Sequence, residues 1–301
     1  MNAFLVVLLL TSLASAADLQ GQLESMVQRH RGKVALYAKQ LKTGATVAIN
    51  ADTPVPTASV IKLPIMVEAF AQIKAGKNSL SEKVVLDEPN QTIGSGVLGF
   101  LRPGVEMTLE DAIVLMIIVS DNTATNLVID HVTIPAVNAR MAAMGLKNTH
   151  LYKKVGKPVV GPAPADQKRF GLGKTTAREM AAVMESVYRC DLGDPKLCQR
   201  MLEILRNQQY RNMIPRFLET IDFTEAPSAI MDKTGDLDQV RNDVALVETN
   251  DGPIIISAFT RENQDQRWTP ENEAYLLLGR MAEVILKAWA PHGLKKYKAP
   301  K

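Results

Sequence analysis

The sequence predicts an α/β fold of the α+β type, in which helices flank a five-stranded antiparallel sheet and an all-α lobe packs beside it. The order of the patterns predicts this fold: two strand patterns stand near the start of the chain, three stand near its end, and helical patterns fill most of the stretch between them. With 301 residues, 46% of them hydrophobic, the chain is long enough to bury a large core. The cleft between the two lobes is the natural place for an active site.

Turn signals bound the predicted strands. Gly44 suits a hairpin turn between the first two strands, and Asn250-Asp251-Gly252 suits one between the last two. Because strands joined by such hairpins are antiparallel neighbours, we expect one sheet assembled from both ends of the chain. The predicted strands span residues 34–38, 46–49, 228–231, 244–248 and 254–259.

The helices carry start and stop signals of their own. Thr108 is a predicted N-cap, with Asp111 placed almost as in a capping box. Gly76 and Gly145 are predicted to end the helices that precede them. Residues 150–174 are rich in proline and glycine, and a structureless loop of that length is usually functional. The predicted helices span residues 18–30, 59–73, 108–119, 124–132, 134–144, 176–188, 195–207 and 271–289.

The N-terminus predicts export. An apolar run from Ala3 to Leu10 precedes Ala14-Ser15-Ala16, which fits a signal-peptide cleavage site. The run is shorter than the roughly 20 residues that span a bilayer. We therefore expect residues 1–16 to be a signal peptide and the mature protein to be periplasmic or secreted, without a stable membrane span.

Residues 17–301 are predicted to form a single catalytic domain of two lobes. Residues 17–55 and 211–301 would form the α/β lobe, and residues 56–210 would form the all-α lobe. A turn-rich linker separates Cys190 from Cys198, and an oxidising compartment permits a disulfide between them, although two free buried thiols are the alternative.

Composition excludes several other classes of function. A net charge of +3 is too small to imply nucleic-acid binding. The chain has neither a phosphate-binding G-x-x-x-x-G-K-[ST] loop nor a clustered His/Cys pattern, so we expect no cofactor and no metal. We expect a monomer whose partner is a small-molecule substrate.

One serine and one lysine stand at the start of an apolar helix. Ser59 and Lys62 are three residues apart, so their side chains share one helical face. A buried lysine loses its proton more easily, which lets Lys62 act as a base toward the Ser59 hydroxyl. The helix dipole favours an alkoxide at Ser59. The alternative is an N-cap serine followed by a lysine whose amine reaches water.

Two further motifs favour the catalytic interpretation. Ser120-Asp121-Asn122 connects two predicted helices, and Lys233-Thr234-Gly235 directly follows the strand predicted at residues 228–231. A second Lys-Thr-Gly at residues 42–44 is explained by its hairpin turn, whereas Ser-x-x-Lys and Ser-Asp-Asn each occur once. The trio in this order is the one that class A β-lactamases and penicillin-binding proteins carry.

The chain therefore resembles the class A β-lactamase-like serine hydrolases over nearly the whole mature sequence. The resemblance implies that Ser59 is the acylated nucleophile, that Lys62 is its base or proton relay, and that Ser120 passes a proton to the leaving nitrogen. It also implies an oxyanion hole made by the backbone N–H groups of Ser59 and Asp236. The implied substrate-binding residues are Asn122, Lys233, Thr234, Gly235 and Arg241, of which Lys233, Thr234 and Arg241 would bind the substrate carboxylate. For Arg241 the alternative is a surface arginine beside a turn.

One residue that the resemblance implies is missing. β-Lactamases of this class carry a Glu upstream of a Thr-Thr pair, and that Glu activates the water that frees the acyl-enzyme. Thr175-Thr176 matches the pair, but the expected position falls near residues 159–162, where no glutamate stands. Asp166 is the only acid between Asp130 and Glu179, so it is the one local candidate for that role. No acidic–basic pair that would pin this loop is evident.

Three functions fit these observations. The first is an exported β-lactamase of class A that acylates through Ser59 and hydrolyses the β-lactam amide, slowly for want of the glutamate. The second is a penicillin-binding D,D-peptidase or transpeptidase that acts on peptidoglycan peptides. The third is a penicillin-binding sensor or an inactive relative. A Ser-His-Asp hydrolase is disfavoured, since the chain has no G-x-S-x-G motif.

Overall fold

The computed structural model describes residues 18–219 and 228–297, so the predicted signal peptide lies outside the described residues. Ten strands are described in this part of the chain. They are β1 (Lys33–Gln40), β2 (Thr46–Ile49), β3 (Val55–Pro56), β4 (Lys83–Val85), β5 (Glu106–Thr108), β6 (His150–Leu151), β7 (Gly173–Thr175), β8 (Ile230–Leu237), β9 (Val240–Val247) and β10 (Ile254–Arg261).

The α-helices follow the predicted pattern closely. They are α1 (residues 18–29), α2 (Lys62–Lys74), α3 (Leu109–Ile118), α4 (Asn122–Val132), α5 (Ile134–Ala143), α6 (Gln167–Phe170), α7 (Ala177–Arg189), α8 (Pro195–Arg206) and α9 (Glu273–Trp289). Thr108 caps α3, and its side chain and that of Asp111 each bond the other's backbone, which confirms the predicted N-terminus. None of the described helices combines the length and apolarity needed to cross a membrane.

One antiparallel sheet of five strands is assembled from both ends of the chain, as predicted. The strand order is β2-β1-β10-β9-β8, so the N-terminal hairpin pairs with the last strand of the C-terminal meander. Leu36 of β1, for example, lies opposite Ala258 of β10. The strand β8 is an edge strand, which leaves one side of its backbone free to face another part of the molecule.

The last three strands are longer than the sequence predicts. β8 continues from Ile230 through Leu237, so Lys233-Thr234-Gly235 lies within the strand and does not follow it. β9 begins at Val240, four residues before the predicted start. Polar residues and a glycine disfavour strands by intrinsic preference, but here the cross-strand ladder from Ile230↔Val247 to Leu237↔Val240 holds them.

The loop predicted at residues 150–174 contains short regular elements, so the structureless prediction is wrong. β7 pairs with β6 on one side and with β3 on the other, and α6 stands between β6 and β7. Lys174 donates to Asp166 at 2.6 Å, so an acidic–basic pair does join two parts of this loop. The sequence does not predict this pair, because its two residues are separated by a turn of α6 and belong to no regular pattern.

Cys190 and Cys198 form a disulfide, with their Cα atoms 5.4 Å apart. The bridge joins the residue after α7 to the first turn of α8. Two hydrophobic clusters lie on opposite faces of the five-stranded sheet. The larger contains the helices α2–α5, α7 and α8, and the smaller contains α1 and α9.

Candidate active site

Ser59 lies in a short 3₁₀ turn, Ala58–Ile61, that runs directly into α2. Strand β8 passes so close to this turn that a Cβ on Gly235 would stand 2.9 Å from the Ser59 backbone nitrogen. A side chain at that position is therefore excluded, which gives the glycine of Lys-Thr-Gly a physical reason. On the other side Asn242 donates to the carbonyl of Pro56 at 2.9 Å and fixes the chain before the turn.

Two residues of the site have backbone angles that side chains rarely adopt. Ala58 has φ +46° and Ser120 has φ +51°, and both are buried. Strained backbone of this kind costs of order 1–3 kcal/mol and persists where the surroundings over-determine it. Ala58 directly precedes Ser59, and Ser120 is the second serine of the predicted site.

Lys62 is fully buried and points at the Ser120 motif. Its Nζ lies within hydrogen-bond distance of the Ser120 carbonyl at 2.7 Å, the Ser120 hydroxyl at 3.1 Å and Asn122 Oδ1 at 2.8 Å. Burial lowers the pKa of Lys62 well below its usual range, and the nearby charge of Lys233 lowers the pKa further. Among the described residues, no hydrogen bond joins Lys62 to Ser59.

Lys233 reaches the same hydroxyl from the opposite side. Its Nζ donates to Ser120 Oγ at 3.1 Å and to the Thr234 carbonyl at 2.8 Å, and its side chain is fully buried. Burial lowers the pKa of Lys233 to about 8, while Asp232, Asp236 and Asp243 oppose that shift. Ser120 Oγ therefore lies between two amines and can take a proton from one and pass it on.

A cleft of about 320 Å³ opens over these groups. Its lining includes five of the predicted site residues, which are Ser59, Ser120, Thr234, Gly235 and Asp236. Asp121 does not line the cleft but holds the neighbouring loop in place. Its carboxylate accepts from the backbone N–H groups of Val97 and Leu98 at 2.6 and 2.8 Å. The lining residues are Ser59, Gly94, Ser95, Ser120, Tyr210, Asn212, Met213, Thr234, Gly235, Asp236, Trp268 and Tyr275.

The edge of β8 turns alternate backbone groups toward this cleft. The carbonyl oxygens of Ile230, Asp232 and Thr234 all accept hydrogen bonds from side chains, between 2.8 and 3.5 Å, and so point away from β9. Because N–H and C=O of one residue lie on the same side of an antiparallel strand, Asp236 continues this series. Ser59 is the second residue of its turn, where an N–H has no intrahelical acceptor. The geometry is consistent with the predicted oxyanion hole.

Arg241 is buried, so the alternative of a surface arginine is wrong. Its side chain is fully buried in β9, donates to the carbonyl oxygens of Val240 and Arg267, and lies 4.5 Å from the ring centre of Trp268. Its Nε lies 3.6 Å from Asp236 Oδ1. Arg241 is not among the residues that line the cleft, so it stands behind the wall that Asp236 and Trp268 form.

Asp166 lies away from the nucleophile. Its carboxylate accepts from Lys174 at 2.6 Å, and it does not line the cleft that contains Ser59. The hydrogen bonds from Lys174 and the Tyr152 hydroxyl lower the pKa of Asp166 below its usual value. An anion held in this way is poorly placed to serve as a general base at Ser59.

A different residue of the loop is bound to helix α4. Asn126 accepts from the Val155 backbone N–H at 2.8 Å and donates to the Val155 carbonyl at 3.0 Å. Asn126 lies one helical turn beyond Asn122, whose Oδ1 accepts from Lys62. The loop position that α4 holds one turn beyond Asn122 is thus Val155, which lies before the stretch at residues 159–162 where the resemblance places the glutamate.

Several cleft residues escaped the sequence analysis. Gly94 and Ser95 come from the loop before α3, Tyr210 from the segment after α8, and Trp268 and Tyr275 from the C-terminal region. No local pattern marks them, because only the tertiary fold brings these segments to one cleft. No cluster of His, Cys, Asp and Glu side chains suited to a metal ion occurs among the described residues.

Comparisons with known proteins agree with this geometry. A model of the family described as "Beta-lactamase enzyme family" matches residues 18–289. The chain is 25% identical over 263 residues to a β-lactamase from Rhodobacter capsulatus, which covers 85% of this chain and 84% of that protein.

Two solved structures are similar over nearly their whole length. A β-lactamase from Sphaerobacter thermophilus superposes with a TM-score of 0.75 and 28% identity, covering 91% of this chain and 96% of that one. A mutant of PBP-A, solved as an acyl-enzyme complex with penicillin G, superposes with a TM-score of 0.76 and 25% identity, covering 90% of this chain and 96% of that one.

Proposed function

The chain belongs to the β-lactamase enzyme family, and from that membership we propose that it is a serine hydrolase that forms an acyl-enzyme with β-lactams at Ser59 and releases it slowly. Acylation needs a nucleophile, a base, a proton donor for the leaving nitrogen and an oxyanion site. The cleft has a candidate for each of them in Ser59, Lys62, Ser120 and the edge of β8.

The proton path of acylation is proposed to run from Ser59 through Lys62 to Ser120, and only its second part follows a hydrogen bond of the structure. Lys62, with its lowered pKa, takes the proton of Ser59 as the Ser59 oxygen attacks the lactam carbonyl. The Ser120 hydroxyl, 3.1 Å from both Lys62 and Lys233, then delivers a proton to the lactam nitrogen as the C–N bond breaks. Thr234 and Lys233 belong to β8 and lie beside Ser120. We propose that they contact the substrate group next to the lactam nitrogen.

The position of Val155 carries the second half of the proposal. Deacylation needs a water molecule held against the ester by a general base. The loop residue that Asn126 binds, one helical turn beyond Asn122, is an apolar valine, and the nearest acid of the loop in sequence, Asp166, is paired with Lys174. A base missing from this position slows the step by about 10²–10⁴. The acyl-enzyme should therefore accumulate.

The same chemistry fits a second function, a penicillin-binding D,D-peptidase or transpeptidase acting on peptidoglycan peptides. That reaction also begins with acylation of Ser59, and a transpeptidase passes the acyl group to an amine and not to water. The valine at position 155 favours this alternative, because a site that activates water poorly protects an acyl-enzyme until an amine arrives.

The test is to follow a chromogenic cephalosporin and the protein mass together. We expect a burst of product stoichiometric with enzyme, then a slow steady state, with the adduct mapped by peptide analysis to Ser59. Ser59→Ala should remove both burst and adduct, whereas Ser95→Ala, a matched serine of the cleft wall, should keep both. Fast steady turnover without a burst would contradict slow deacylation. An adduct on Ser120 would contradict the assignment of the nucleophile.

We propose further that the protein is exported. The apolar N-terminal segment motivates this proposal, and the disulfide between Cys190 and Cys198 is compatible with an oxidising compartment. N-terminal sequencing of the protein recovered from the native host would test it. A mature chain that starts near Ala17 is the expected result, and a protein that retains Met1 in the cytosol would contradict it.

A further inference from the structure

A cavity of about 400 Å³ lies among the helices, apart from the cleft that contains Ser59. It is larger than that cleft, and the two share no lining residue. Side chains of α2, α5, α7 and α8 surround it, together with the linker between α7 and α8, and its size is within the range that binds small molecules. The lining residues are Val67, Ala71, Arg140, Met144, Leu146, Ala182, Glu185, Ser186, Val187, Arg189, Asp191, Leu192 and Met201.

The floor of this helical cavity is apolar and incompletely packed. Ala71 of α2, Val187 of α7 and Met201 of α8 are buried, whereas Val67 and Ala182 are only partly buried. The small side chains of Ala71 and Ala182 leave space on α2 and α7. Because apolar surfaces of a core normally pack without gaps, a cavity that stays open between them is suited to a ligand with an apolar body.

The linker wall of the helical cavity is fixed by bonds within the protein. Asp191 and Leu192 lie inside the short loop that the Cys190–Cys198 disulfide closes. Lys74 Nζ donates to the Leu192 carbonyl from α2. The wall is therefore formed before any ligand arrives, and a ligand loses no binding free energy in ordering it.

Two arginines of the lining offer hydrogen-bond donors to a ligand. Arg189 Nε donates to Glu185 at 2.7 Å, and Arg140 Nε donates to Glu68 at 2.8 Å. Among the described residues, the Nη atoms of both arginines have no hydrogen-bond partner. A guanidinium group whose two Nη atoms are available can hold a carboxylate through two parallel hydrogen bonds.

The charge of Arg189 is the less fully matched of the two. The other arginine is paired one to one with its carboxylate, but Glu185 also accepts from Lys39 at 2.8 Å and is thus shared by two cations. Asp191, the remaining acid of the lining, is exposed, so water screens its charge. An anionic group is therefore favoured over a cationic one beside Arg189.

We propose that the helical cavity is a second ligand site, which binds an apolar monocarboxylic acid such as a fatty acid. The hydrocarbon chain of the acid would lie on the apolar floor, and its carboxylate would bind the guanidinium group of Arg189. Binding there requires no reaction at Ser59, because none of the lining residues belongs to the cleft. The second site is thus independent of the proposed acylation.

Three probes that share one hydrocarbon chain test this site: octanoate (anionic), 1-octanol (neutral) and octylammonium (cationic). Each is titrated into the full chain with ¹³C-methyl-labelled methionine, and the methyl resonances are followed by NMR. Met144 and Met201 line the helical cavity, whereas Met213 lines the cleft. We expect octanoate to shift Met144 and Met201 saturably below about 10 mM and to leave Met213 in place. Octylammonium should bind about 10-fold or more weakly than octanoate, with 1-octanol between them.

Two pairs of variants separate the floor from the charge. Ala182→Phe fills the cavity and should abolish the binding of all three probes, whereas Ala142→Phe, at an exposed position of α5 outside the lining, should not. Arg189→Gln should weaken octanoate about 3- to 10-fold and leave 1-octanol unchanged. Arg178→Gln should change neither affinity, because Arg178 is an exposed arginine of the same helix that is paired with Asp52 and lies outside the lining. The arginine pair gives an independent result if Ala182→Phe does not fold.

Each contrary outcome overturns a stated part of the proposal. Shifts confined to Met213 would mean that octanoate enters the cleft, and no saturable shift below about 10 mM would mean that the second site does not exist. Octylammonium that binds as tightly as octanoate, or an unchanged affinity in Arg189→Gln, would overturn the recognition of a carboxylate. Saturable shifts of Met144 and Met201 in a protein that forms no adduct with β-lactams would overturn the proposed function and leave the second site standing.

Discussion

Two buried lysines meet at one serine hydroxyl, and their surroundings give them different charges. Lys233 has three carboxylates near it, Asp232, Asp236 and Asp243, which stabilise its ammonium form. Asp121 is the one carboxylate that stabilises the ammonium form of Lys62, and the positive charge of Lys233 opposes it. Because two ammonium groups that share a desolvated hydroxyl repel each other, the proton stays preferentially on Lys233. Lys62 is then the neutral amine that a base must be.

This asymmetry predicts a bell-shaped pH dependence for acylation of Ser59. The rate should rise as pH increases through the lowered pKa of Lys62, since its neutral form is the base. The rate should fall above about pH 8, where Lys233 loses its proton. The positive charge beside Ser120 and the bound substrate is then lost. The two limbs belong to the coupled pair, so the apparent pKa values describe both lysines together. Acylation rates of a neutral β-lactam ester between pH 4 and 10 measure both limbs.

Lys62→Ala tests which lysine is the base. We expect acylation to slow by about 10²–10⁴ and the rising limb to disappear. Melting temperature and circular dichroism should remain close to those of the unaltered protein, because the loss of the amine's hydrogen bonds is offset by the loss of a buried polar group whose desolvation is costly. A rising limb that survives in Lys62→Ala would assign the base to another group.

The sequence predicts individual elements well where local chemistry decides them. The capping box at Thr108, the hairpin at residues 250–252 and the order of the strands all follow from residue preferences that the structure confirms. The extension of β8 through Lys233-Thr234-Gly235 does not. Those residues disfavour a strand locally, and only the ladder to β9 and the close approach to Ser59 keep them in one.

The dependence on contacts between distant segments also explains why the sequence predicts neither the burial of Arg241 nor the register of the loop at residues 150–174. Arg241 has the sequence context of a surface residue, but its guanidinium group is buried by Trp268 and Tyr275, which come from a distant segment. The loop register depends on Asn126, a residue of α4. Contacts between distant segments of this kind have no local signature. Three short motifs therefore predict the central groups of the site. The residues of the cleft wall, and the loop residue that Asn126 binds, can be identified only from the fold.

The loop between β6 and β7 offers a gain-of-function prediction. Val155→Glu would place a carboxylate on the residue that Asn126 binds, one helical turn beyond Asn122. We expect deacylation to accelerate by at least about 10-fold, because a positioned base is worth about 10²–10⁴ when its geometry is good. The steady-state rate after the burst measures this directly, and acylation should change little.

Two controls give that experiment its meaning. Val159→Glu introduces the same group in the stretch that the sequence alone singled out, and it should leave deacylation slow. Asp166→Asn should also have little effect on deacylation, because Asp166 is engaged by Lys174. Equal acceleration by Val155→Glu and Val159→Glu would show that the register set by Asn126 does not control access to the ester. A collapse of turnover in Asp166→Asn would make that aspartate the base.

The helices of the middle of the chain and the five-stranded sheet share one core on the scale of the whole molecule. The larger hydrophobic cluster joins buried side chains of α2, such as Phe70, to residues of the sheet, such as Val244 of β9 and Phe259 of β10. The smaller cluster covers the opposite face of the same strands. Because successive side chains of β9 and β10 point to opposite faces, each strand belongs to both clusters. The cleft lies where the edge strand β8 meets the 3₁₀ turn before α2.

This shared core predicts that the described domain unfolds in a single cooperative transition, although chains of this length often do not. Phe70→Ala removes a fully buried ring from the helical side and should lower the free energy of unfolding by about 3–5 kcal/mol. In urea, the midpoint measured by fluorescence of Trp268 and Trp289, both on the sheet side, should shift as far as that measured by far-UV circular dichroism. Phe100→Ala, at a position that is 75% exposed, should shift neither midpoint. A tryptophan transition that stays in place while the circular dichroism midpoint falls would mean that the lobes unfold independently, and that the site between them is made by docking and not by a common core.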